Sequence, residues 1–363
     1  MRELSRRTVI GGHRTTTATR RAAVLTTALL VAFLAGSATA AAEYRKPGTC
    51  REVAVPVALA EDAPADQTVA ATFCTPLRWA DGAHQADILV AGATYTREYW
   101  DFSFDPETYS YVDDTLAAGR ATFNFDRLGT GASSRPDSWR LTVSSDAFIL
   151  HQLITWLHRE GYAHVNAVGH SLGSVTLTNE AARWHDLDRV ILTGIIHLPG
   201  VGLNSINMFS STYPADLDPI TTGRGTDAGY LTTLPGRRGS IFYDPATADP
   251  AVIDHDERTK DVVAIGETTE SMTTLLSPPQ MNASRSITAR VLVVMGAKDD
   301  IFCNFLVSCR EAASIAANEA PYYSGAVDFD ALVVPDVAHN LALHPSAPQT
   351  FRAIDHWMTT GDA

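Results

Sequence analysis

The segment 169–173 constrains the fold of this 363-residue chain more than any other feature. It reads Gly-His-Ser-Leu-Gly and lies between an apolar run at 165–168 and a helical pattern that continues to about residue 184. Glycines on both sides of a serine are typical of a tight turn from a strand into a helix, where close backbone approach excludes side chains. The pattern predicts that Ser171 projects its hydroxyl above a β-sheet. The alternative is a serine in an ordinary glycine-flanked loop.

Strands and helices alternate along most of the chain. Short apolar runs predict strands at residues 88–91, 121–125, 165–168, 190–192, 290–295 and 331–334. Helical spacing of apolar residues predicts helices at 145–159, 172–184 and 350–358. This alternation predicts an α/β fold with a mostly parallel central sheet and helices on both of its faces.

The first 42 residues have the pattern of an export signal. Six arginines precede an apolar run at 22–35, and small residues at 38–42 offer cleavage sites. The Ser-Arg-Arg that begins at Ser5 is similar to a twin-arginine signal, so both export routes stay open. A membrane anchor is the alternative, but the run is short for a span. We predict a secreted protein. The scarcity of lysine, with only Lys46, Lys260 and Lys298, suggests a GC-rich bacterial genome.

Removal of that segment makes the chain strongly acidic. Six of the 28 basic and one of the 41 acidic residues lie within it, which leaves 22 basic and 40 acidic residues and a net charge near −18. Such a surface repels phosphate backbones and anionic membranes. We therefore expect no nucleic-acid partner and no stable association with a membrane, and the composition says nothing about oligomeric state.

Two further segments interrupt the strand–helix pattern. Residues 43–75 form a lead-in before the main domain at 76–363, and the alternation of Val53, Val55 and Val57 could be an edge strand. Residues 197–286 are rich in Gly, Pro, Thr and Asp and lack clear periodicity. Because they are too many for a loop in a compact domain, we predict an inserted cap there.

The four cysteines are expected to be structural. An even number in an exported chain favours disulfides, and four cysteines allow three pairings. The local pairing, Cys50 with Cys74 and Cys303 with Cys309, is the one we predict. Their spacing does not resemble a zinc site, and we expect neither a metal ion nor a cofactor.

A serine hydroxyl needs a base, and on this type of scaffold the acid and then the histidine follow the serine in the chain. Asp299 lies in the loop after the strand at 290–295, and Asp300 is its competitor. His339 follows the last strand, with His344 as the alternative. The oxyanion of acyl transfer needs donors. The backbone N–H groups of Leu172 and Ala93 are our candidates.

Together these motifs resemble the α/β-hydrolase superfamily, in particular its secreted members with a serine nucleophile, such as esterases and lipases. The residues that carry the resemblance are 169–173, the loop 296–299, His339 and the turn 126–133, which is similar to the family's D-x-x-G-x-G-x-S segment. It covers roughly residues 86–358 and implies an α/β-hydrolase fold with an inserted cap. Many members have His-Gly in the oxyanion loop, where this chain has Ala91 and Gly92.

The resemblance implies a serine hydrolase that cleaves a carboxylic ester or lactone, a small-molecule substrate, through Ser171, His339 and Asp299. A lyase, an acyltransferase or a perhydrolase with the same triad is an alternative, as is a non-catalytic binding protein on this fold. The aromatic cluster Tyr95, Tyr99, Trp100, Phe102 and Phe104 could line the substrate pocket or pack beneath the loop. Apolar side chains of the predicted cap could cover the same pocket: Leu203, Ile206, Met208 and Phe209.

Overall fold

A computed structural model describes residues 44–80, 84–198 and 205–363. The predicted export signal at 1–42 lies outside the described residues, and so does Leu203. Among the helices of the described residues, none combines the length and hydropathy that crossing a membrane requires.

Eleven strands, ten α-helices and five short 3-10 helices are formed by the described residues. The strands are β1 Gly48–Val57, β2 Gln67–Pro76, β3 Gln85–Val90, β4 Ala121–Phe125, β5 His164–His170, β6 Arg189–Thr193, β7 Thr212–Pro214, β8 Tyr230–Thr233, β9 Val263–Ala264, β10 Arg290–Gly296 and β11 Asp328–Val334. The α-helices are α1 Pro106–Tyr109, α2 Tyr111–Ala117, α3 Val143–Arg159, α4 Leu172–Trp184, α5 Ser205–Ser210, α6 Arg238–Phe242, α7 Pro250–Thr259, α8 Ile265–Leu276, α9 Ala312–Glu319 and α10 Ala347–Thr360. The 3-10 helices are Arg97–Tyr99, Ala215–Leu217, Pro279–Met281, Ala283–Ser286 and Leu341–Leu343.

Eight of the strands form one sheet in the order β1-β2-β4-β3-β5-β6-β10-β11. In this order, every two neighbouring strands between β4 and β11 are parallel to each other. Strand β2 is antiparallel to both of its neighbours, β1 and β4. Every residue of β4 is buried, as is every residue of β5 after the first. Strands buried on both faces need covering layers on both sides, which the helices provide. The predicted fold is therefore confirmed.

The six strands and three helices predicted from apolar patterns are all present as β3, β4, β5, β6, β10, β11, α3, α4 and α10, with ends that differ by a few residues. The short helices α1 and α2 and the helix α9 were not predicted. They have four, seven and eight residues, too few turns for helical periodicity to be recognised.

Two stretches of the predicted lead-in, residues 48–57 and 67–75, belong to the sheet. Strand β1 is an edge strand, as the valine alternation predicted, and it pairs with β2 over ten residues. Strand β2 in turn pairs with β4. The structure therefore extends the domain N-terminally beyond the boundary drawn at residue 76. The reason is that β1 buries only part of one face, so its hydrophobic pattern is weak.

The inserted segment, residues 197–286, forms secondary structure of its own. Strands β7, β8 and β9 make a separate antiparallel sheet, and helices α5 to α8 lie in the same stretch. Its strands have three, four and two residues, which is too short for an alternating pattern to stand out in the sequence.

Both predicted disulfides are present. Cys50 and Cys74 face each other across β1 and β2, so this bond joins the two strands of the N-terminal hairpin. Cys303 and Cys309 close a short loop after β10. The chain-entropy stabilisation by a disulfide grows with the length of the loop that it closes.

The double substitution Cys50→Ser with Cys74→Ser should therefore destabilise the protein more than Cys303→Ser with Cys309→Ser. The sequence separations are 24 and 6 residues. They correspond to losses of about 3.4 and about 2.2 kcal/mol in the free energy of unfolding. Urea denaturation of both variants measures the difference. Equal losses would show that chain entropy does not set the contribution of the hairpin disulfide.

Candidate active site

Ser171 occupies a sharp turn between β5 and α4. Its backbone has φ 51° and ψ −119°, a conformation that L-residues rarely adopt, and its N–H donates to the Thr193 carbonyl at 2.9 Å. A Cβ atom at Gly173 would lie 2.2 Å from the carbonyl oxygen of Val90, and one at Gly169 would lie 2.7 Å from the Cα of Ser174. The two glycines are therefore needed for the turn that presents Ser171.

Asp299 and His339 form a buried hydrogen-bonded pair. Nδ1 of His339 donates to Oδ2 of Asp299 at 2.9 Å, and both side chains are almost completely buried. The other carboxylate oxygen accepts the backbone N–H groups of Ile301 at 2.9 Å and Phe302 at 3.2 Å. The carboxylate is thus fixed in position, and it fixes the orientation of the imidazole.

The two alternative residues have other surroundings. Asp300 is exposed. His344 is buried, donates from Nδ1 to the carbonyl of Asn340 at 2.9 Å, and accepts at Nε2 the N–H groups of Ala338 and Asp244, both at 3.4 Å. Because both of its ring nitrogens bind the backbone, His344 holds the loop that carries His339.

Gly194 lies next to the turn at Ser171 and close to the ring of His339. This glycine follows the Thr193 carbonyl that binds Ser171, and a Cβ atom on it would lie 3.2 Å from Cε1 of His339. Phe302 stacks on His339 at 5.7 Å between ring centroids and lines the same cavity as Ser171. The described residues show no hydrogen bond between the serine hydroxyl and the imidazole. Such bonds are often long without substrate and tighten when it binds.

His170, beside the serine, is a supporting residue. Its Nδ1 donates to the Thr193 hydroxyl at 3.1 Å, that hydroxyl donates to the Gly169 carbonyl, and the ring stacks on Tyr99 at 4.4 Å. Burial and the neighbouring His339 ring lower the pKa of His170 well below its usual range. The ring is therefore neutral and adds no positive charge next to His339.

Ala93 and Leu172 are the residues whose N–H groups were predicted to bind the oxyanion. Both residues line one cavity together with Ser171. In the described part of the chain neither N–H donates a hydrogen bond. A Cβ atom on Gly92 would lie 3.2 Å from the Cβ of Ser171, so this glycine lets the loop approach the serine.

Arg127 anchors the loop that contains Gly92. It takes the place of the histidine that many family members have before this glycine. Its guanidinium donates to the Gly92 carbonyl at 3.2 Å and forms an ion pair with Glu267 of α8. Asp146 of α3 lies 3.7 Å away on the same side. Sequence analysis placed Arg127 within the turn 126–133 but assigned it no role, because its partners are far away in the chain.

The cavity at Ser171 is small and mostly apolar, with a volume of about 50 Å³. The main domain and the inserted segment both contribute to its lining, which consists of Ala93, Ser171, Leu172, Val175, Ser205, Met208, Phe209, Thr268, Ser271, Met272, Leu275 and Phe302. Met208 and Phe209 are therefore in the predicted position, whereas Ile206 is exposed and does not line the cavity.

The predicted aromatic cluster does not line this cavity. Tyr95, Tyr99, Trp100 and Phe102 are buried in the hydrophobic core, and Phe104 is partly buried against it. Tyr95 accepts from Asn340 at 2.6 Å and donates to Asp256 at 3.1 Å. The structure supports the second of the two sequence interpretations, since these rings pack in the core and do not line the cavity.

The strand order, the turn at Ser171 and the loop acid are features of an α/β hydrolase. The model of the Alpha/beta hydrolase family matches residues 88–354, and the chain belongs to this family. No curated protein matches the sequence.

Similar solved structures include several hydrolases. An esterase from Thermogutta terrifontis is 15% identical, with a TM-score of 0.57 over 85% of this chain and 98% of that one. An α/β-hydrolase fold protein from Chitinophaga pinensis is 18% identical, with a TM-score of 0.55 over 87% and 100%. E-2-(acetamidomethylene)succinate hydrolase is 16% identical, with a TM-score of 0.53 over 85% and 99%. At these identities the likeness shows the fold alone.

The buried carboxyl beside Arg127 gives a pH-dependent stability. Burial, partly offset by the guanidinium, raises the pKa of Asp146 to about 7, against about 3.9 in an unfolded chain. Between about pH 4 and pH 7 the folded state holds a proton that the unfolded chain has lost, so this contribution to stability falls as the pH rises.

The side chain in Asp146→Asn stays neutral at every pH. The stability of this variant relative to the wild type should therefore increase from pH 5 to pH 8. We expect a relative gain of about 1–3 kcal/mol in the free energy of unfolding. Urea denaturation at both pH values measures it, with Asp62→Asn as the control because Asp62 is exposed. If the Asp146→Asn and wild-type stabilities changed in parallel, the buried carboxyl would not titrate in this window.

Proposed function

We propose that this protein is a secreted serine hydrolase that cleaves a carboxylic ester or lactone through an acyl-enzyme. The observation that carries the proposal is the buried pair of Asp299 and His339 beside a serine held at positive φ. Non-regular backbone of this kind persists only where the surrounding structure enforces it, and it is concentrated at functional sites.

Each group has a defined role in the proposed reaction. Oγ of Ser171 attacks the substrate carbonyl as Nε2 of His339 takes its proton, and the N–H groups of Ala93 and Leu172 stabilise the oxyanion. The imidazolium gives that proton to the leaving alcohol, and a water molecule, deprotonated by the same imidazole, then releases the acid from Ser171. Asp299 orients the ring and stabilises its charged form.

The cavity supports a short acyl group. A cavity needs roughly 10–15 Å³ to hold one water molecule. A cavity of about 50 Å³ therefore holds about three to five heavy atoms. The lining is apolar apart from four hydroxyl-bearing side chains: Ser171, Ser205, Thr268 and Ser271. We propose that the inserted segment acts as a cap, since its α5 and α8 supply much of the cavity wall.

Two observations support export. Both cysteine pairs are disulfides, which form and persist in oxidising compartments. The first 42 residues have the sequence pattern of a signal peptide. We propose that residues 1–42 are removed and that the enzyme acts outside the cytosol on a small molecule.

Ser171→Ala should abolish ester hydrolysis. Removal of the nucleophile is expected to lower kcat by about 10⁴–10⁶-fold, measured with p-nitrophenyl butyrate and the chain that begins at residue 43. Ser271→Ala is the matched control, because Ser271 lines the same cavity but its hydroxyl binds the carbonyl of Thr268 in its own helix. A fluorophosphonate should label the wild type and Ser271→Ala once, at Ser171.

The two readouts separate the alternatives. More than a tenth of the wild-type activity in Ser171→Ala would contradict the mechanism. Labelling without turnover would point to a lyase, an acyltransferase or an ester that the cavity does not admit. If neither labelling nor turnover occurred, a binding protein on the same fold would be the better interpretation.

The wild type should prefer short acyl chains. In a p-nitrophenyl ester series from acetate to palmitate, we expect kcat/KM to be highest between two and four carbons, because longer chains exceed the cavity. Met208→Ala removes three heavy atoms from the wall and should move the optimum towards longer chains. Leu217→Ala is the control, since Leu217 is exposed in the same segment and lies outside the cavity. An unchanged optimum in Met208→Ala would exclude this cavity as the acyl site.

A further inference from the structure

Three ionisable side chains converge between α3 and α4, away from the candidate active site. His151 lies in α3, Glu180 lies in α4, and Asp186 follows the end of α4. One ligand atom from each residue lies within 4.8 Å of the other two. Nδ1 of His151 is 2.7 Å from Oδ2 of Asp186 and 3.8 Å from Oε1 of Glu180.

Glu180 is completely buried without a donor. Its side chain has no exposed area, and neither carboxylate oxygen has a hydrogen-bond partner among the described residues. Oδ1 of Asp186 is also buried and unpartnered. An uncompensated buried carboxylate is costly, so this arrangement calls for a positive charge.

The surrounding basic groups do not supply that charge. Arg183 pairs with Glu61 at the surface and covers the ring of Trp184. In the described parts of the chain no lysine or arginine forms an ion pair with Glu180 or Asp186. Of the residues that the structure describes, His151 alone is a basic partner of these carboxylates, and a single imidazole cannot neutralise both.

We propose that His151, Glu180 and Asp186 bind a divalent cation of the zinc class. One imidazole and two carboxylates balance a charge of +2, and a nitrogen ligand favours zinc over calcium or magnesium. Ligand bonds of about 2.0–2.2 Å in a tetrahedron put the ligand atoms about 3.3–3.6 Å apart. The separations of His151 from Asp186 and from Glu180, 2.7 and 3.8 Å, are close to this value, and the third pair of ligand atoms lies within 4.8 Å.

The site has a route for the ion and an ordered imidazole. The side chains of His151 and Asp186 are 28% and 19% exposed, so a water molecule can complete the coordination from the solvent side. The ring of His151 stacks on Trp184, with 4.7 Å between centroids and 8° between planes. This stacking restricts the orientation of the ring before the ion binds, which reduces the entropy lost on binding.

The bound ion would join two helices and take no part in the proposed chemistry. Glu180 is nine residues beyond Ser171, which corresponds to about 13 Å along α4. A cation here would hold the C-terminal half of α4 against α3. It would thereby stabilise the helix that begins at the Ser171 turn. The expectation of no metal rested on cysteine spacing and did not consider these residues, which come together only in the fold.

Zinc binding to the untagged chain that begins at residue 43 tests the proposal. Titration calorimetry at pH 7.5 after chelator treatment should give one Zn²⁺ per chain, and Tm should rise by about 3–5 °C at a hundredfold excess over Kd. Glu180→Gln and His151→Ala should bind at least tenfold more weakly and lose the rise in Tm. Ca²⁺ and Mg²⁺ at the same concentration should leave Tm unchanged.

His164→Ala is the matched control. His164 pairs with Asp188 at 3.3 Å on the surface, and no buried carboxylate accompanies them, so this variant should bind zinc as the wild type does. Equal binding by all the variants would assign the ion to surface histidines and overturn the proposal. A wild type without zinc response, together with a raised metal-free Tm in Glu180→Gln, would overturn it too and would identify a carboxyl pair that shares a proton. A response to Ca²⁺ in place of Zn²⁺ would contradict the zinc class.

Discussion

The positive φ at Ser171 is the constraint on which the site depends. A side chain in this conformation is strained, and the turn exists because β5, α4 and the Thr193 carbonyl hold it from three sides. The same close approach excludes a Cβ atom at positions 169 and 173. The position of the Ser171 hydroxyl at the cavity is therefore a product of packing between sheet and helix. The loops that carry Asp299 and His339 are positioned relative to it by the neighbouring parallel strands.

The loop that contains Gly92, which precedes the aromatic cluster, depends on a second set of contacts. In many members of the superfamily an imidazole anchors this loop, and here Arg127 does so from the turn after β4. The turn itself is held by Asp126, whose carboxylate accepts N–H groups from Arg97 and Ala132. Position 131 requires glycine for two reasons. Its φ is 50°, and a Cβ atom there would lie 2.1 Å from the Asp126 carboxylate.

The strands and long helices could be predicted because each buries a continuous apolar run, which periodicity reveals. The places of Ser171, Asp299 and His339 in the chain could be proposed for a similar reason, since each follows a predicted strand. Contacts between distant residues could not be predicted from the sequence. The pairs Arg127 with Glu267 and His151 with Glu180 join elements far apart in the chain, and no local pattern distinguishes these side chains from surface charges.

Helix α8 has two roles at once. Thr268, Met272 and Leu275 form part of the cavity wall, while Glu267 on the same helix holds Arg127 and through it the Gly92 carbonyl. A molecule that displaces this helix from the cavity would therefore also disturb the peptide between Gly92 and Ala93. In the proposed reaction that peptide carries an oxyanion donor, so a change to α8 would alter the choice of acyl group and the rate of turnover together.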